Sequence, residues 1–340
     1  MQWTLVADPQ FDDQLNYSTI CDDGLSSRLH NYIDCFDRIV ADSVEKGSKG
    51  ILLLGDIFDS RTAVSLSVID QVCRSFQRAK DLGLELHVLV GNHDSQLRVP
   101  RVNSLQAFLG LAHVWESPSV YQKFAFMPWI EDEDAFRAGV KELADNPQPD
   151  FLFSHALFEG AVPKVAGRAI SDLIPERWKQ VVLGDVHGPI KIAPNVRYCG
   201  APMQIHYGDA GRDRGYYFLD DETGDLEYVV NTWSPRFHIV KDTSFLGKLD
   251  GFSPMQVGRA DFVRIKVDDA KEAMRLAQTL SHHTDWVESL AVEEPDNAPR
   301  IQVSVRDSHT EAIEMYLKYQ NLDAVDGLLE TALSIMEESN

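Results

Sequence analysis

Basic residues are in short supply in this sequence: 32 Lys and Arg stand against 53 Asp and Glu, for a formal net charge of −21. That balance excludes a protein that coats nucleic acid by bulk electrostatics, because a polyanion is gripped by cationic side chains and released counterions. It leaves room for an enzyme that receives phosphates through bound cations or a local basic patch. Cysteine is sparse as well. Cys21, Cys35, Cys73 and Cys199 are scattered and form no CxxC pair, so neither a zinc ribbon nor a redox dithiol is supported, and reduced thiols in a cytoplasm are expected. No apolar run approaches the roughly 20 residues that span a bilayer. The start, Met1-Gln2-Trp3-Thr4, has neither the basic nor the apolar part of a signal peptide. A cytoplasmic chain with no membrane partner is the expectation.

What the sequence does have is a series of apolar runs that stop at polar residues. Leu84–Val90 ends at Gly91-Asn92-His93-Asp94, Ile51–Leu54 at Gly55-Asp56-Ile57-Phe58-Asp59, and Trp3–Ala7 at Asp8-Pro9-Gln10. Short apolar runs bounded by glycine read as buried strands, and open α/β sheets carry their sites at the carboxyl ends of strands. Between the runs, Leu29, Ile33, Phe36, Val40 and Val44 recur at helical spacing over Arg28–Lys46, and Val72, Phe76 and Ala79 mark a second helix ending near Gly83. From Tyr121 short strands dominate: Tyr121–Trp129, Phe151–His155, Gln180–Gly184, Asn195–Gly200, Gly215–Asp220 and Leu226–Asn231, with one helix over Asp132–Ala144. A sheet on each side of the core, flanked by helices, is predicted.

Residues 1–235 are therefore expected to form a catalytic domain. Periodicity then fades while Pro235, Gly247, Gly251, Pro254 and Gly258 accumulate, so residues 236–258 read as a linker. A small α+β unit is expected at 259–307, with strand Phe262–Val267, helix Ala270–Ser281, and strands Trp286–Val292 and Arg300–Val305. In 308–340, Val325, Leu328, Leu329, Ala332, Leu333 and Met336 fall at helical spacing, a helix that packs on its own domain or docks a partner.

The polar strand ends, taken in order, are Asp8, Gln10, Asp56, Asp59, Asn92 and His93, then His155, then Asp185 and His187 in Gly184-Asp185-Val186-His187-Gly188. Oxygen and imidazole donors without a thiolate suit manganese, iron or zinc at a reactive site better than a structural zinc. A carboxylate bridging two cations about 3.5–4 Å apart would stabilise the attacking and leaving oxygens of an in-line phosphoryl displacement. His93 directly follows a ligand candidate, so it can protonate the departing oxygen, with Asp59 or else Asp94 accepting from its ring. Arg98 and Arg101 would touch a DNA backbone or lie on an ordinary surface loop. His206 follows Pro202 close to the expected cleft.

Asp8-x-Gln10, Gly55-Asp56-Ile57-Phe58-Asp59, Gly91-Asn92-His93-Asp94, His155 and Gly184-Asp185-Val186-His187 resemble, in order, the motifs of the calcineurin-like metallophosphoesterases. Within them the chain looks most like SbcD-type DNA-repair nuclease subunits and their shorter bacteriophage relatives. Pro128-Trp129 after a strand, Arg197-Tyr198-Cys199-Gly200-Ala201-Pro202 and the trailing small unit carry that finer likeness. The resemblance implies a sandwich of two mixed sheets flanked by helices, with a capping domain. It implies two manganese ions, with magnesium the alternative, and Asp56 bridging. Asp8 and His187 would serve one ion; Asn92, His155 and position 185 would serve the other, with His93 on the scissile phosphate. DNA, an SbcC-like SMC-type ATPase docked through the C-terminal region, and a homodimer are the implied partners, in a bacterial or phage-infected cytoplasm. The implied activity is DNA exo/endonuclease. A small-substrate phosphodiesterase or phosphatase and a weakened scaffold subunit are the alternatives. The family has His where Gln10 and Asp185 stand. Gln offers one neutral amide oxygen; Asp185 offers an anionic oxygen that favours harder ions. Asp12 or Asp13 would compensate for Gln10 if their loop folds back.

Overall fold

The computed structural model describes residues 1–13, 16–96, 102–241, 261–267, 269–280 and 286–291. The chain opens with β1 (Gln2–Val6), α1 (Ser27–Glu45), β2 (Ser48–Leu53), α2 (Leu66–Asp81) and β3 (Glu85–Leu89). Both helices begin at a serine whose hydroxyl accepts a main-chain N–H of the first turn: Ser26 from Leu29 (3.0 Å) and Ser65 from Val68 (3.3 Å). They are followed by Gly47 and Gly83 at φ of 72° and 88°, the left-handed turn that closes a helix. Connections through helices force β1, β2 and β3 to run parallel, and β4 (His113–Trp115) joins them in the same sense.

The second half supplies β5 (Ser119–Tyr121), β6 (Phe124–Met127), α3 (Glu133–Asp145), β7 (Phe151–His155), β8 (Gln180–Gly184), β9 (Lys191–Ala193) and β10 (Val196–Tyr198). β11 (Gly215–Asp220) and β12 (Leu226–Val230) then return to the first sheet, where β11 lies antiparallel to β1. The two six-stranded sheets have the orders β12-β11-β1-β2-β3-β4 and β5-β6-β7-β8-β10-β9. Both mix parallel and antiparallel neighbours, as expected from the sequence.

Alternation along each strand builds the layers. Trp3, Leu5, Leu52 and Leu89 face Phe124, Phe126, Phe151, Phe153 and Val182 in a core between the sheets. Val6, Ile51 and Val88 face α1 and α2 on one outer side, while Leu152, Val181 and Leu183 face α3 on the other. Because each sheet is covered on both faces, its central strands are mostly apolar, with Thr4 and His87 the buried polar side chains in the middle of β1 and β3, and the carboxylates of the site lie beyond the strand ends.

Three expectations need correction. Tyr121–Trp129 is not one strand: Gln122 takes φ of 54° and the chain turns back as the antiparallel hairpin β5–β6. The three-residue edge strands β4 and β9 are too short to show periodicity. Phe237–Val240, inside the expected linker, is a strand, β13, whose main chain pairs with β14 (Phe262–Val267). β14 continues to α4 (Ala270–Leu280) and β15 (Trp286–Ala291), giving a parallel three-stranded sheet. Strand Arg300–Val305 and the helix within 308–340 lie outside the described residues. Among the described residues no helix is long and apolar enough to cross a membrane.

Candidate metal centre

Beyond β1 and β2 the two chains continue side by side. Asp8 N–H donates to the Gly55 carbonyl (3.2 Å), Gln10 N–H to Asp56 (3.1 Å) and Phe11 N–H to Ile57 (2.8 Å). This ladder puts Asp8 and Asp56 next to each other, both buried. Asp8, Gln10, Asp56 and Asp185 all take positive φ (48°, 44°, 52° and 91°). Such backbone costs roughly 1–3 kcal/mol per residue and collects at functional sites. Here the side chains of Asp8, Asp56 and Asp185 leave the strand ends and converge on His155.

His155, at the end of β7 in the opposite sheet, is the other buried element. Its Nδ1 donates to the Leu54 carbonyl at 2.7 Å, a bond between the two sheets that fixes the ring. Nε2 then faces Asn92 Oδ1 (3.1 Å), Asp56 Oδ1 (3.2 Å) and Asp185 Oδ1 (3.7 Å). Glycine makes this approach possible. A Cβ on Gly55 would lie 2.3 Å from His155 Nδ1, one on Gly184 would lie 2.1 Å from the Leu54 oxygen, and one on Gly91 would lie 2.2 Å from Asp56 Oδ1. Gly55, Gly91 and Gly184 are thus space requirements set by neighbouring segments.

Charge in the site is unbalanced. Burial raises Asp8 well above the usual carboxylate range, with neighbouring Asp56 adding to the rise. Burial raises Asp185 as well. Burial works against charge on His155, but Asp56, Asp8 and Asp185 together outweigh it and hold the imidazole well above its ordinary pKa. Burial also works against Asp56, which His155 and His93 nevertheless pull down. The pocket wants positive charge. Ligating atoms of Asp8, Asp56 and His155 lie within 4.8 Å of one another. These oxygen and imidazole donors, with the tautomer already set by Leu54, fit a hard or borderline divalent cation.

His93 stands at the rim. Its main-chain N–H donates to Asp56 Oδ1 (2.8 Å), its Nδ1 meets the Asp59 carbonyl, and its Nε2 lies 3.9 Å from Asp56 Oδ2. The contact with Asp59 expected through a carboxylate is therefore made by the main-chain oxygen. Asp94 does not take that part either. It accepts from Gly91 N (2.9 Å), Ile57 N (2.9 Å) and Phe58 N (3.4 Å), tying the loops of β2 and β3 together. Burial, with Asp56 nearby, pushes its carboxyl up to about 7.

His187 is at the flank, its ligating nitrogen grouped with His206 and Asp209. Burial lowers its pKa, and Asp209 opposes that. Asp13 accepts from Ser65 Oγ at 2.6 Å and so is drawn to the start of α2. Arg98 and Arg101 lie outside the described residues. Two contributors were not foreseen. Asp209 escapes a reading of strand ends because it sits on a one-turn helix, and Arg61, whose charge reaches Asp185, sits in an ordinary-looking loop.

Two sheets meeting at carboxylates and histidines on their strand ends define a class. The calcineurin-like phosphoesterase family matches residues 5–231, and the chain belongs to that family, whose members are dimetal enzymes. Exonuclease subunit 1 of Enterobacteria phage T4 is 29% identical over 233 residues, covering 64% of this chain and 66% of that one. DNA double-strand break repair protein Mre11 of Halobacterium salinarum is 25% identical over 245 residues, covering 67% and 61%. The chain thus spans a little under two thirds of the length of these relatives. A crystal structure from Thermus thermophilus is 11% identical, covering 67% of this chain and 98% of that one, with a TM-score of 0.44.

Proposed function

We propose that this chain is a manganese-dependent DNA exo/endonuclease, the hydrolytic subunit of an SbcCD-like repair and recombination complex. One observation carries the reading: Asp56 meets both His155 and His93, and the same His155 nitrogen faces Asn92 and Asp185. Asp8 and His187 would hold one cation, with Asn92, His155 and Asp185 holding the second and Asp56 shared. The bound pair would supply an activated water and neutralise charge developing on the phosphate. His93, with its Nδ1–H tied to the Asp59 carbonyl, would give the leaving oxygen a proton from Nε2 as the doubly protonated imidazolium and be left as the neutral ring. Asp94 keeps that loop in place. The T4 and Halobacterium relatives, by their names an exonuclease subunit and a double-strand break repair protein, support DNA as the substrate. Magnesium is the alternative ion.

With a net charge of −21, the isolated chain is expected to hold DNA weakly, and an SMC-type ATPase partner would supply the remaining grip. The test is manganese content and hydrolysis of linear DNA across a manganese titration, with Gln10→His alongside. Two ions and manganese-dependent cleavage are expected. One ion and no cleavage, with both regained in Gln10→His, would mean a site tuned down at Gln10. Failure of both variants to load two ions or cut would leave a scaffold. Turnover of small phosphodiesters without DNA cleavage, even beside the partner, would transfer the assignment to a small-substrate phosphodiesterase.

A further inference from the structure

The loop after β10 carries an imidazole that the ligand set does not use. His206 precedes the one-turn helix Tyr207–Asp209, its side chain is 56% exposed, and its ring centroid lies 6.2 Å from that of His187. The loop beneath it is rigidly held. Asp209 accepts from Ile205 N (2.9 Å) and His206 N (3.5 Å) through Oδ2, and from the buried Arg214 guanidinium (2.6 Å) through Oδ1. Arg28, also buried, donates to the carbonyls of Gln204 (2.9 Å) and Ile205 (3.2 Å), and Gln204 Oε1 accepts from Phe237 N in β13 (2.6 Å).

His187, His206 and Asp209 are close enough to suggest a third cation position, but their hydrogen bonds argue against one. Both Asp209 oxygens are committed, one of them to an arginine. His206 Nδ1 accepts the Gly208 N–H at 3.0 Å. An imidazole that accepts through Nδ1 carries its proton on Nε2, and a protonated nitrogen is a donor, not a metal ligand. An exposed N–H donor on a fixed loop beside His187 suits an anionic oxygen.

Resting on the nuclease reading above, we propose that His206 is a substrate-binding residue whose Nε2–H donates to a phosphate oxygen of the nucleic acid, on the His187 side of the centre. Hydrogen bonds to charged groups carry enough energy that losing one weakens binding by roughly 10-fold or more. The experiment measures manganese stoichiometry, the Kd for thymidine 5′-monophosphate of the manganese-loaded protein, and steady-state DNA hydrolysis for wild type, His206→Ala and His206→Gln. Unchanged manganese content, a Kd and KM raised about 10-fold in His206→Ala with a smaller change in kcat, and partial recovery in His206→Gln (whose amide also donates) are expected. Loss of a manganese ion in His206→Ala would overturn the proposal by making His206 a ligand. Equal nucleotide affinity in all three proteins would overturn it by making His206 a solvated side chain, and would leave the nuclease reading standing. A wild-type chain that takes up no manganese and cuts no DNA would instead defeat the nuclease reading, and the inference would fall with it.

Discussion

Among the described residues two histidines are wholly buried, and their surroundings drive them in opposite directions. His155 is ringed by Asp8, Asp56 and Asp185 and is held well above its ordinary pKa despite burial. His87, on β3, lies among Trp3, Trp115, Tyr121 and Phe126, with Trp115 Nε1 donating to its Nδ1 at 3.3 Å. Burial takes it down to about 4, with His113 adding to the fall and Glu85, whose nearest oxygen is 3.6 Å away, opposing it. Burial alone therefore does not decide an imidazole's charge. The count of carboxylates in van der Waals reach does. The His155 region is built to receive a cation; the His87 region is packing that happens to contain a titratable ring.

Emptying the charged region tests the contrast most severely. Asp56→Ala removes the carboxylate shared by every part of the centre, and DNA hydrolysis should fall by about 10³-fold or more with loss of bound manganese. His93→Ala removes the proposed proton donor and leaves the proposed ligands, so activity should fall by about 10²–10⁴-fold while manganese content holds. Coincident loss of metal in His93→Ala would show that the rim and the centre are one unit. Gly184→Ala acts through space: its methyl would press on the Leu54 oxygen and on His155 Nδ1. Because that carbonyl orients His155, the proposed ligand, manganese affinity should weaken by roughly 10–100-fold, read by equilibrium dialysis.

The smallest effect belongs to the aromatic region, and it concerns stability. An unfolded His87 binds a proton below pH 6.5, whereas the folded one waits until about pH 4. Between those values the unfolded state holds more protons, so stability falls as pH falls. The contribution is of order 3 kcal/mol at most. His87→Phe should flatten this acid limb in denaturant titrations at pH 4–7, leaving DNA hydrolysis at neutral pH unchanged. An unaltered acid limb would mean that His87 is not what titrates there.

Much of the centre was legible in the sequence. Asp8, Asp56, Asn92, His155 and Asp185 each end an apolar run, where the chain leaves the packed layers and a cluster of polar side chains can be accommodated. The frame of strands and helices followed from the same alternation. Asp94 and Asp59 were harder, because two carboxylates near one histidine are equivalent in a sequence. Only the pairing of the loops after β2 and β3 assigned the first to main-chain N–H groups and made the second's carbonyl the partner of His93.

The identity of the candidate ligands, and their order, is a property of the chain itself, since it depends on local polarity at strand ends. Tertiary structure alone decided how they meet. His155 and Leu54 are joined across two sheets, Gly184 and Gly91 are small because other loops need the room, and His187 turns toward His206 and Asp209. Those relations depend on sheet register and packing between distant segments, which no local pattern encodes.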